Sequence, residues 1–338
     1  MIGGLAVNSP FTFTEIPRGE KRMQRVALIY NPASGQLSSR REAAVQEAIT
    51  VLHNAGVQAQ AYVTTGVGSA TLHAHQAVRD GCDTILACGG DGTVHEVLQG
   101  IVGTSVALGV IPLGTANALA ADLGLITSPA KAARILLLAE PTRVSVGRIH
   151  YRDGDGNPSS RYFTVAAGVG ADALLMSRLE PRLKRRLGYL LYMIEAFRIL
   201  VTHGFPLFET VVPANVNAAV RVVDVSQLLA VRVRSFGGAL RNLAPGASLR
   251  NGKLSLLAFK TRSRMRYMLF LAAVLAGRHT FAREVELLET ASVECRAPKG
   301  SDDSFFVEAD GEVLGSLPAR FEVVPHSLTL LVPANAQP

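Results

Sequence analysis

Strands and helices are predicted to alternate regularly along the first third of the chain. Short apolar runs there are separated by stretches with helical periodicity. The expected elements are strand 26–30, helix 41–55, strand 59–63, helix 69–80, strand 84–88, helix 94–102 and strand 106–111. Buried strands joined by crossover helices are typical of a parallel sheet covered on both faces. The pattern therefore predicts an α/β domain over residues 23–145.

A different pattern begins after about residue 143 and predicts a second, β-rich domain over residues 146–333. The β-like segments in it are 162–166, 228–233, 254–259, 293–296, 305–308 and 327–331. Helical stretches at 184–201 and 264–277 interrupt them, and residues 153–160 are expected to form a hairpin turn. Mostly antiparallel pairing of these strands is expected. A return of the extreme C-terminus to the first domain is an additional option.

The sequence Gly89-Gly90-Asp91-Gly92-Thr93 lies between a predicted buried strand and a predicted helix. Glycines at this position let the backbone approach a phosphate closely, and the following helix N-terminus offers unpaired amides and a positive dipole. Phosphate would repel Asp91 unless a cation lay between them, so Asp91 is a candidate Mg²⁺ contact or a partner of a nucleotide hydroxyl. An ordinary tight turn with Asp91 as the helix cap is the alternative interpretation.

Two further loops follow predicted strands of the same sheet. Residues 31–35 (NPASG) follow the first strand, and residues 112–117 (PLGTAN) follow the fourth. The carboxyl ends of parallel strands meet at one edge of a sheet, where ligands bind. Three small glycine-bearing loops at one edge predict a nucleotide cradle, although none has the Gly-Lys-Ser/Thr of a Walker loop or the spacing GxGxxG.

Composition limits the class of protein and its partners. A net charge of +7 favours an anionic partner, but aromatic and basic residues do not interleave, so no nucleic-acid partner is expected. Three cysteines without metal-ligand spacing favour a reducing cytoplasm. Residues 1–22 are interpreted as a loose extension without signal-peptide order. The eight histidines have no ligand spacing, and His95 is interpreted as incidental.

The motifs NPASG, GGDGT, PLGTANALA, VAAGVGADA and a late Asp310-Gly311-Glu312 occur in this order between about residues 25 and 332. This set resembles the diacylglycerol kinase catalytic family, which includes bacterial soluble diacylglycerol kinases and the sphingosine and ceramide kinases. The resemblance implies a three-layer α/β nucleotide domain, like that of NAD kinases and diacylglycerol kinases, and a β-sandwich-like lipid domain. The active site is then expected in the cleft between them.

The resemblance also implies ATP and Mg²⁺ as cofactors and assigns roles by position. The matched ATP-contacting positions are Asn31, Pro32, Ser34, Gly35, Thr64, Gly89, Gly90, Asp91, Gly92, Thr93, Glu96, Gly114, Thr115 and Asn117. Asp91 is the expected metal contact and, with Asp310 and Glu312, forms the expected catalytic set. One acidic residue of the late Asp-Gly-Glu is expected to deprotonate the lipid hydroxyl. Arg185, in a basic cluster, resembles a phosphate-facing arginine of sphingosine kinases, and a solvated helix start is the alternative.

Departures from the family pattern leave the lipid open. Many bacterial members have aspartate where this chain has Ala118 and Ser145, and Asn251-Gly252 replaces the Asp-Gly of their structural-metal loop, so a second metal is not expected. Leu174 replaces an acidic residue of sphingosine kinases, so a sphingoid amine lacks its partner.

The predicted function is an ATP-dependent lipid kinase, with diacylglycerol as the leading substrate. The alternatives are a ceramide or sphingoid-base kinase, an NAD kinase, and a catalytically weak regulatory protein that binds lipid or nucleotide. The lipid is expected at the inner face of the membrane, which this cytoplasmic protein would contact peripherally. An apolar helix at 267–277 with basic ends is a candidate for this contact, and an ordinary core helix is the alternative interpretation. A homodimer is a further option.

Overall fold

Parallel strands and the helices that connect them form the first part of the structure. The computed structural model describes residues 23–32, 38–178, 189–213, 220–236, 243–275, 285–300 and 305–336. The first strands are β1 (Arg25–Tyr30), β2 (Gln58–Val63), β3 (Thr84–Gly89) and β4 (Ala107–Pro112). The helices beside them are α1 (Ser38–Asn54), α2 (Ser69–Arg79), α3 (Asp91–Ile101), α4 (Ala118–Asp122) and α5 (Pro129–Leu137).

These four strands pair in the order β2-β1-β3-β4, and every pairing is parallel. Strands β3 and β4 are buried along their whole length, which explains their continuous apolar sequences, whereas the edge strand β2 is mixed in polarity. Helix α1 packs against α5, and α2 packs against α3. The carboxyl ends of β1, β3 and β4 consequently lie at one edge of the sheet.

Antiparallel strands dominate the rest of the described chain. They are β5 (Glu140–Arg152), β6 (Pro158–Phe163), β7 (Ala166–Val169), β8 (Phe208–Val212), β9 (Arg221–Val225), β10 (Gln227–Val231), β11 (Leu254–Phe259), β12 (Val285–Thr290), β13 (Ser292–Arg296), β14 (Phe306–Ala309) and β15 (Glu312–Val332). The helices among them are α6 (Ala171–Arg178), α7 (Tyr189–Thr202) and α8 (Arg264–Leu275). None of the helices in the described ranges is long and apolar enough to cross a bilayer.

The long strand β15 connects the two parts of the molecule. It begins beside β14, pairs along most of its length with β5 and ends in parallel pairing with β4, where Thr329 lies opposite Ala107. One continuous sheet therefore runs through both parts. Because β15 starts at Glu312, this strand also determines where the late Asp-Gly-Glu segment lies.

Most elements predicted from the sequence are confirmed, including the strand at 254–259 and the hairpin at 153–160, which joins β5 to β6. The predicted helix over 184–201 is confirmed from Tyr189 onward, and residues 184–188 lie outside the described ranges. The single strand predicted at 162–166 is wrong. The chain bends there between β6 and β7, because the backbone amides of residues 164–166 donate to the Asp310 carboxylate instead of to a neighbouring strand.

Candidate active site

A cavity of about 200 Å³ lies at the carboxyl edge of the parallel strands. Its lining brings together residues from three separate loops and from the start of β15: Asn31, Thr64, Gly66, Ala70, Gly90, Gly92, Thr93, Glu96 and Glu312. A larger groove of about 540 Å³ lies at the opposite, amino end of β1 and β2, away from the glycine loops. The smaller cavity is the candidate site because the predicted cradle and the late acidic segment meet there.

The glycine loop after β3 packs backbone to backbone against the loop after β4. A Cβ added at Gly114 would lie 2.4 Å from the Cα of Gly90, and one added at Gly89 would lie 2.3 Å from Thr93 Oγ1. A side chain at Gly114 would therefore force the two loops apart, and one at Gly89 would displace the Thr93 side chain of the same loop. Glycine is needed here because the loops approach each other closely.

Asp91 connects these two loops. Its carboxylate accepts the backbone amides of Asn117 at 3.0 Å and Ala118 at 2.7 Å, and it is the first residue of α3. Asn117 has a left-handed backbone, and its side chain bonds both the amide and the carbonyl of Gly114 at 2.9 Å. Burial raises the pKa of Asp91, although these amides act in the opposite direction. Asp91 thus stabilises the contact between the two loops, and it is not among the residues that line the cavity.

Asp310 holds the bend between β6 and β7. Its carboxylate accepts the backbone amides of Thr164, Val165 and Ala166 at 2.9 to 3.1 Å, and its side chain is only 3% exposed. The residue has a φ of 48°, and Gly311 follows with a φ of 84°, which forms the tight turn into β15. The oxygens of Asp310 are therefore occupied by the protein itself.

Glu312 differs from Asp310 in facing the cavity. Its side chain is 38% exposed, and a Cβ added at Gly92 would lie 3.5 Å from its Oε1. Burial raises its pKa, as do the nearby charges of Glu96 and Asp310, while His95 and Arg161 act to lower it. A carboxylate with a raised pKa, next to the glycine loop, is suited to accept a proton.

The structure corrects the interpretation of His95 as incidental. It is buried on α3, with Nδ1 3.4 Å from Asp310 Oδ2 and Nε2 3.8 Å from Glu312 Oε2. Its position one helical turn after Asp91 was the available signal, since residues four apart lie on the same helix face. What the sequence did not indicate is that the Asp310 turn packs against that face.

Two further buried carboxyl groups, which the sequence did not single out, lie behind the turn. Glu308 Oε2 accepts the amide of Gly311 at 2.9 Å, whereas both oxygens of Asp172 lack a hydrogen-bond partner among the described residues. Burial raises the pKa of Asp172 to about 6, and burial together with the charge of Asp172 raises the pKa of Glu308 well above its usual value. The two groups therefore disfavour ionisation of each other.

The remaining predicted residues vary in position. Glu96 accepts the amide of Ala70 at 3.0 Å near the start of α2, so it connects α3 to that helix as well as lining the cavity. Thr115 is exposed on its loop, and Pro32 is half-buried just after Asn31. Ser34, Gly35 and Arg185 lie outside the described residues.

The backbone around Asn251 surrounds a protein cation. The guanidinium of Arg232, which is fully buried, donates to the carbonyl oxygens of Ser145, Leu249, Asn251 and Lys253. Burial lowers the pKa of Arg232 to about 10. Carbonyl oxygens that converge in this way are ligands that a metal ion would otherwise take, and here an arginine occupies them.

Similarity to characterised proteins agrees with this geometry. Residues 25–149 match the family model of the diacylglycerol kinase catalytic domain, and residues 164–332 match that of the YegS C-terminal NAD kinase beta sandwich-like domain. A diacylglycerol kinase of Mycobacterium tuberculosis is 30% identical over 313 residues, which cover 92% of this chain and 96% of that protein. A diacylglycerol kinase of Bacillus subtilis is 27% identical over 314 residues, covering 92% and 97%. The crystal structure of a diacylglycerol kinase from Bacillus anthracis has a similar fold, with a TM-score of 0.64 at 18% identity over 93% of this chain and 98% of that one.

Proposed function

The chain belongs to the diacylglycerol kinase catalytic family of ATP-dependent lipid kinases, and on that premise we propose that its acceptor is the free hydroxyl of diacylglycerol. The observation that carries this proposal is the position of Glu312 against Gly92, which brings a proton acceptor to the glycine loop. The names of the relatives from Mycobacterium tuberculosis and Bacillus subtilis support diacylglycerol as the acceptor.

The glycine loops would hold the phosphates of ATP. Gly90, Gly92 and Thr93, at the start of α3, line the cavity, and a helix N-terminus favours an anion. Asn31 and Thr64 line the same cavity from the loops after β1 and β2 and would contact the nucleotide there. Asp91, through its bonds to Asn117 and Ala118, keeps the two glycine loops in register for this contact.

Mg²⁺ would neutralise the charge on the transferring phosphates, as it does in phosphoryl transfer generally. Asp91 would help to hold the ion, because each carboxylate oxygen keeps a second lone pair beyond its bond to a backbone amide.

Glu312 would act as the base and Asp310 as its positioning neighbour. A general base must be accessible to the proton that it removes, and Glu312 is 38% exposed on its side chain whereas Asp310 is 3% exposed and bonded to three amides. The two acidic residues of the late segment therefore have different tasks, although they are only two positions apart.

The lipid would be reached at a membrane surface by helices α7 and α8. These helices contact each other, and Phe197, Met265 and Leu269 expose 65%, 60% and 62% of their surface. Arg262 and Arg264 are exposed beside them and would attract anionic headgroups. On the inner side of α8, Tyr267 bonds Ser226 at 2.8 Å. Through this face the protein would bind peripherally to the inner side of the membrane.

A transfer assay with labelled ATP tests the acceptor. Diacylglycerol, ceramide, sphingosine and NAD are offered separately, the lipids in mixed micelles, and diacylglycerol is expected to give the highest kcat/KM. A higher value with NAD or with another lipid would refute the proposal. Binding of ATP without transfer to any of the four would instead favour a regulatory protein.

A further inference from the structure

His95 joins the two acidic residues of the active-site turn. Its imidazole side chain is 1% exposed, with Nδ1 beside Asp310 and Nε2 directed at Glu312 across 3.8 Å. Nε2 is buried and has no hydrogen-bond partner among the described residues. Buried polar atoms are seldom left unpaired in folded proteins, so an unpaired ring nitrogen next to the proposed base requires an explanation.

Asp310 determines which ring nitrogen carries the proton when the imidazole is neutral. Three backbone amides hold the Asp310 carboxylate in place, and its Oδ2 lies 3.4 Å from His95 Nδ1. An ionised carboxylate is only an acceptor, so the neutral ring carries its proton on Nδ1 and presents the lone pair of Nε2 to Glu312. The neutral ring of His95 can therefore accept a proton on the side of Glu312 and donates its own proton on the side of Asp310.

We infer that His95 is a positioning residue that acts through Glu312, by receiving at Nε2 the proton that Glu312 removes from the acceptor hydroxyl. The inference rests on the proposed function. In the transfer, the acceptor O–H bond breaks and its proton goes to Glu312. The acceptor oxygen bonds the γ-phosphorus, while the bond from that phosphorus to ADP breaks and ADP keeps the electron pair. The proton then moves to Nε2, and it returns to solvent through Glu312 when the product has left.

The charges around the ring favour this step. Burial lowers the pKa of His95, but the hydrogen bond and charge of Asp310 and the charge of Glu312 outweigh burial, so that the pKa is raised overall. Arg161 opposes them on His95 and also lowers the pKa of Glu312, while Glu96 raises the latter. A histidine beside a carboxyl group of raised pKa gives the proton a second site.

The substitution His95→Asn tests the inference, because the amide can still donate to Asp310 but leaves nothing at Nε2. The kcat is expected to fall by about 10- to 100-fold with an unchanged KM for ATP. The acidic limb of the kcat profile should also move and become less steep, because His95 must be neutral to receive the proton and the variant loses that ionisation. His53→Asn, at the far end of α1, is the matched control and should change neither quantity. A lower kcat with an unmoved limb would indicate a merely structural role and overturn the inference.

A double-mutant cycle with Glu312→Gln gives a second measurement. If His95 acts only through Glu312, adding His95→Asn to that variant should change kcat by less than about twofold. Losses that multiply would overturn the inference. Should His95→Asn fail to fold, His95→Gln, which keeps side-chain volume without a titrating ring, is expected to move the same limb. Transfer to diacylglycerol by the wild type in the same assay separates the two claims. If the wild type shows no such transfer, the proposed function fails. If the wild type transfers phosphate and His95→Asn has the same kcat and pH profile, only this inference is refuted.

Discussion

The carboxylate of Asp91 accepts the backbone amide of Ala118 at 2.7 Å and so fastens the glycine loop after β3 to the loop after β4. With the bond to Asn117, both oxygens of Asp91 have backbone donors. Buried carboxylate–amide bonds of this kind are among the stronger hydrogen bonds in proteins. The aspartate of the GGDGT motif therefore has a structural task in addition to any contact with Mg²⁺.

Replacing Asp91 with Asn should weaken ATP binding and lower stability together. The new amide group cannot accept from both Asn117 and Ala118, so one buried backbone donor loses its partner at a cost of about 1 to 3 kcal/mol. We expect a higher KM for ATP and a lower midpoint in urea unfolding. Asp153→Asn is the control, since Asp153 also accepts two backbone amides, but in the β5–β6 hairpin. An Asp91→Asn variant with the KM of the wild type would contradict the structural task.

Glu312→Gln and Asp310→Asn should fail in different ways. The first removes the proposed base and should lower kcat by about 10² to 10⁴ with little effect on stability. The second loses acceptors for the amides of residues 164–166 and should lower the unfolding free energy by at least about 2 kcal/mol. Steady-state kinetics and urea unfolding of both variants decide between these roles. A stable but inactive Asp310→Asn beside an active Glu312→Gln would reverse the assignment.

Arg232→Met should destabilise the fold strongly. Several carbonyls would lose the charged donor that Arg232 provides, and we expect a loss of roughly 3 kcal/mol or more in urea unfolding. Arg250→Met, in the same loop but exposed, is the matched control and should stay within about 0.5 kcal/mol of the wild type. Equal stability of the two variants would show that the guanidinium contributes little there.

Asp172→Asn should make stability less dependent on pH. Because burial raises the folded-state pKa of Asp172 to about 6, folding favours the protonated form. The stability that this group contributes is full below the pKa of the unfolded chain, near 3.8, and is lost as pH rises through about 6. Thermal unfolding at pH 5 and at pH 7.5 should thus give a smaller difference in Tm for Asp172→Asn. An unchanged difference would mean that Asp172 is not the responsible group.

Leu269→Asp should reduce binding to anionic vesicles. The substitution places a charge on the exposed face of α8 and should lower co-sedimentation with vesicles that contain phosphatidylglycerol. Activity on a short-chain diacylglycerol dissolved as monomers should remain, because the cleft is unchanged. Leu138→Asp, which alters another exposed leucine at the end of α5, is the control. Equal vesicle binding by both variants would exclude α8 as the contact face.

Local sequence was sufficient to predict the positions of the glycine loops and of most helices and strands. The buried strands have continuous apolar sequences, and the glycines between β3 and α3 occur where two loops approach within a few ångströms. Both features are therefore visible in residues that are close in sequence. The acidic Asp310-Gly311-Glu312 turn was identifiable by its order among the family motifs. The sequence predicted that this turn lies near the active site. It did not predict the contact with Gly92 on which the proposed chemistry depends.

The different surroundings of His95, Asp310 and Glu312 were decided only by tertiary structure. His95 and Asp310 are 215 positions apart, and they meet because β15 pairs with β14 at one end and with β4 at the other. The same pairing buries Asp310 among amides and leaves Glu312 facing the cavity. Sequence patterns indicate which strand or helix a residue belongs to. Proton affinity depends on burial and neighbouring charge, and these are set by residues that only the fold brings together.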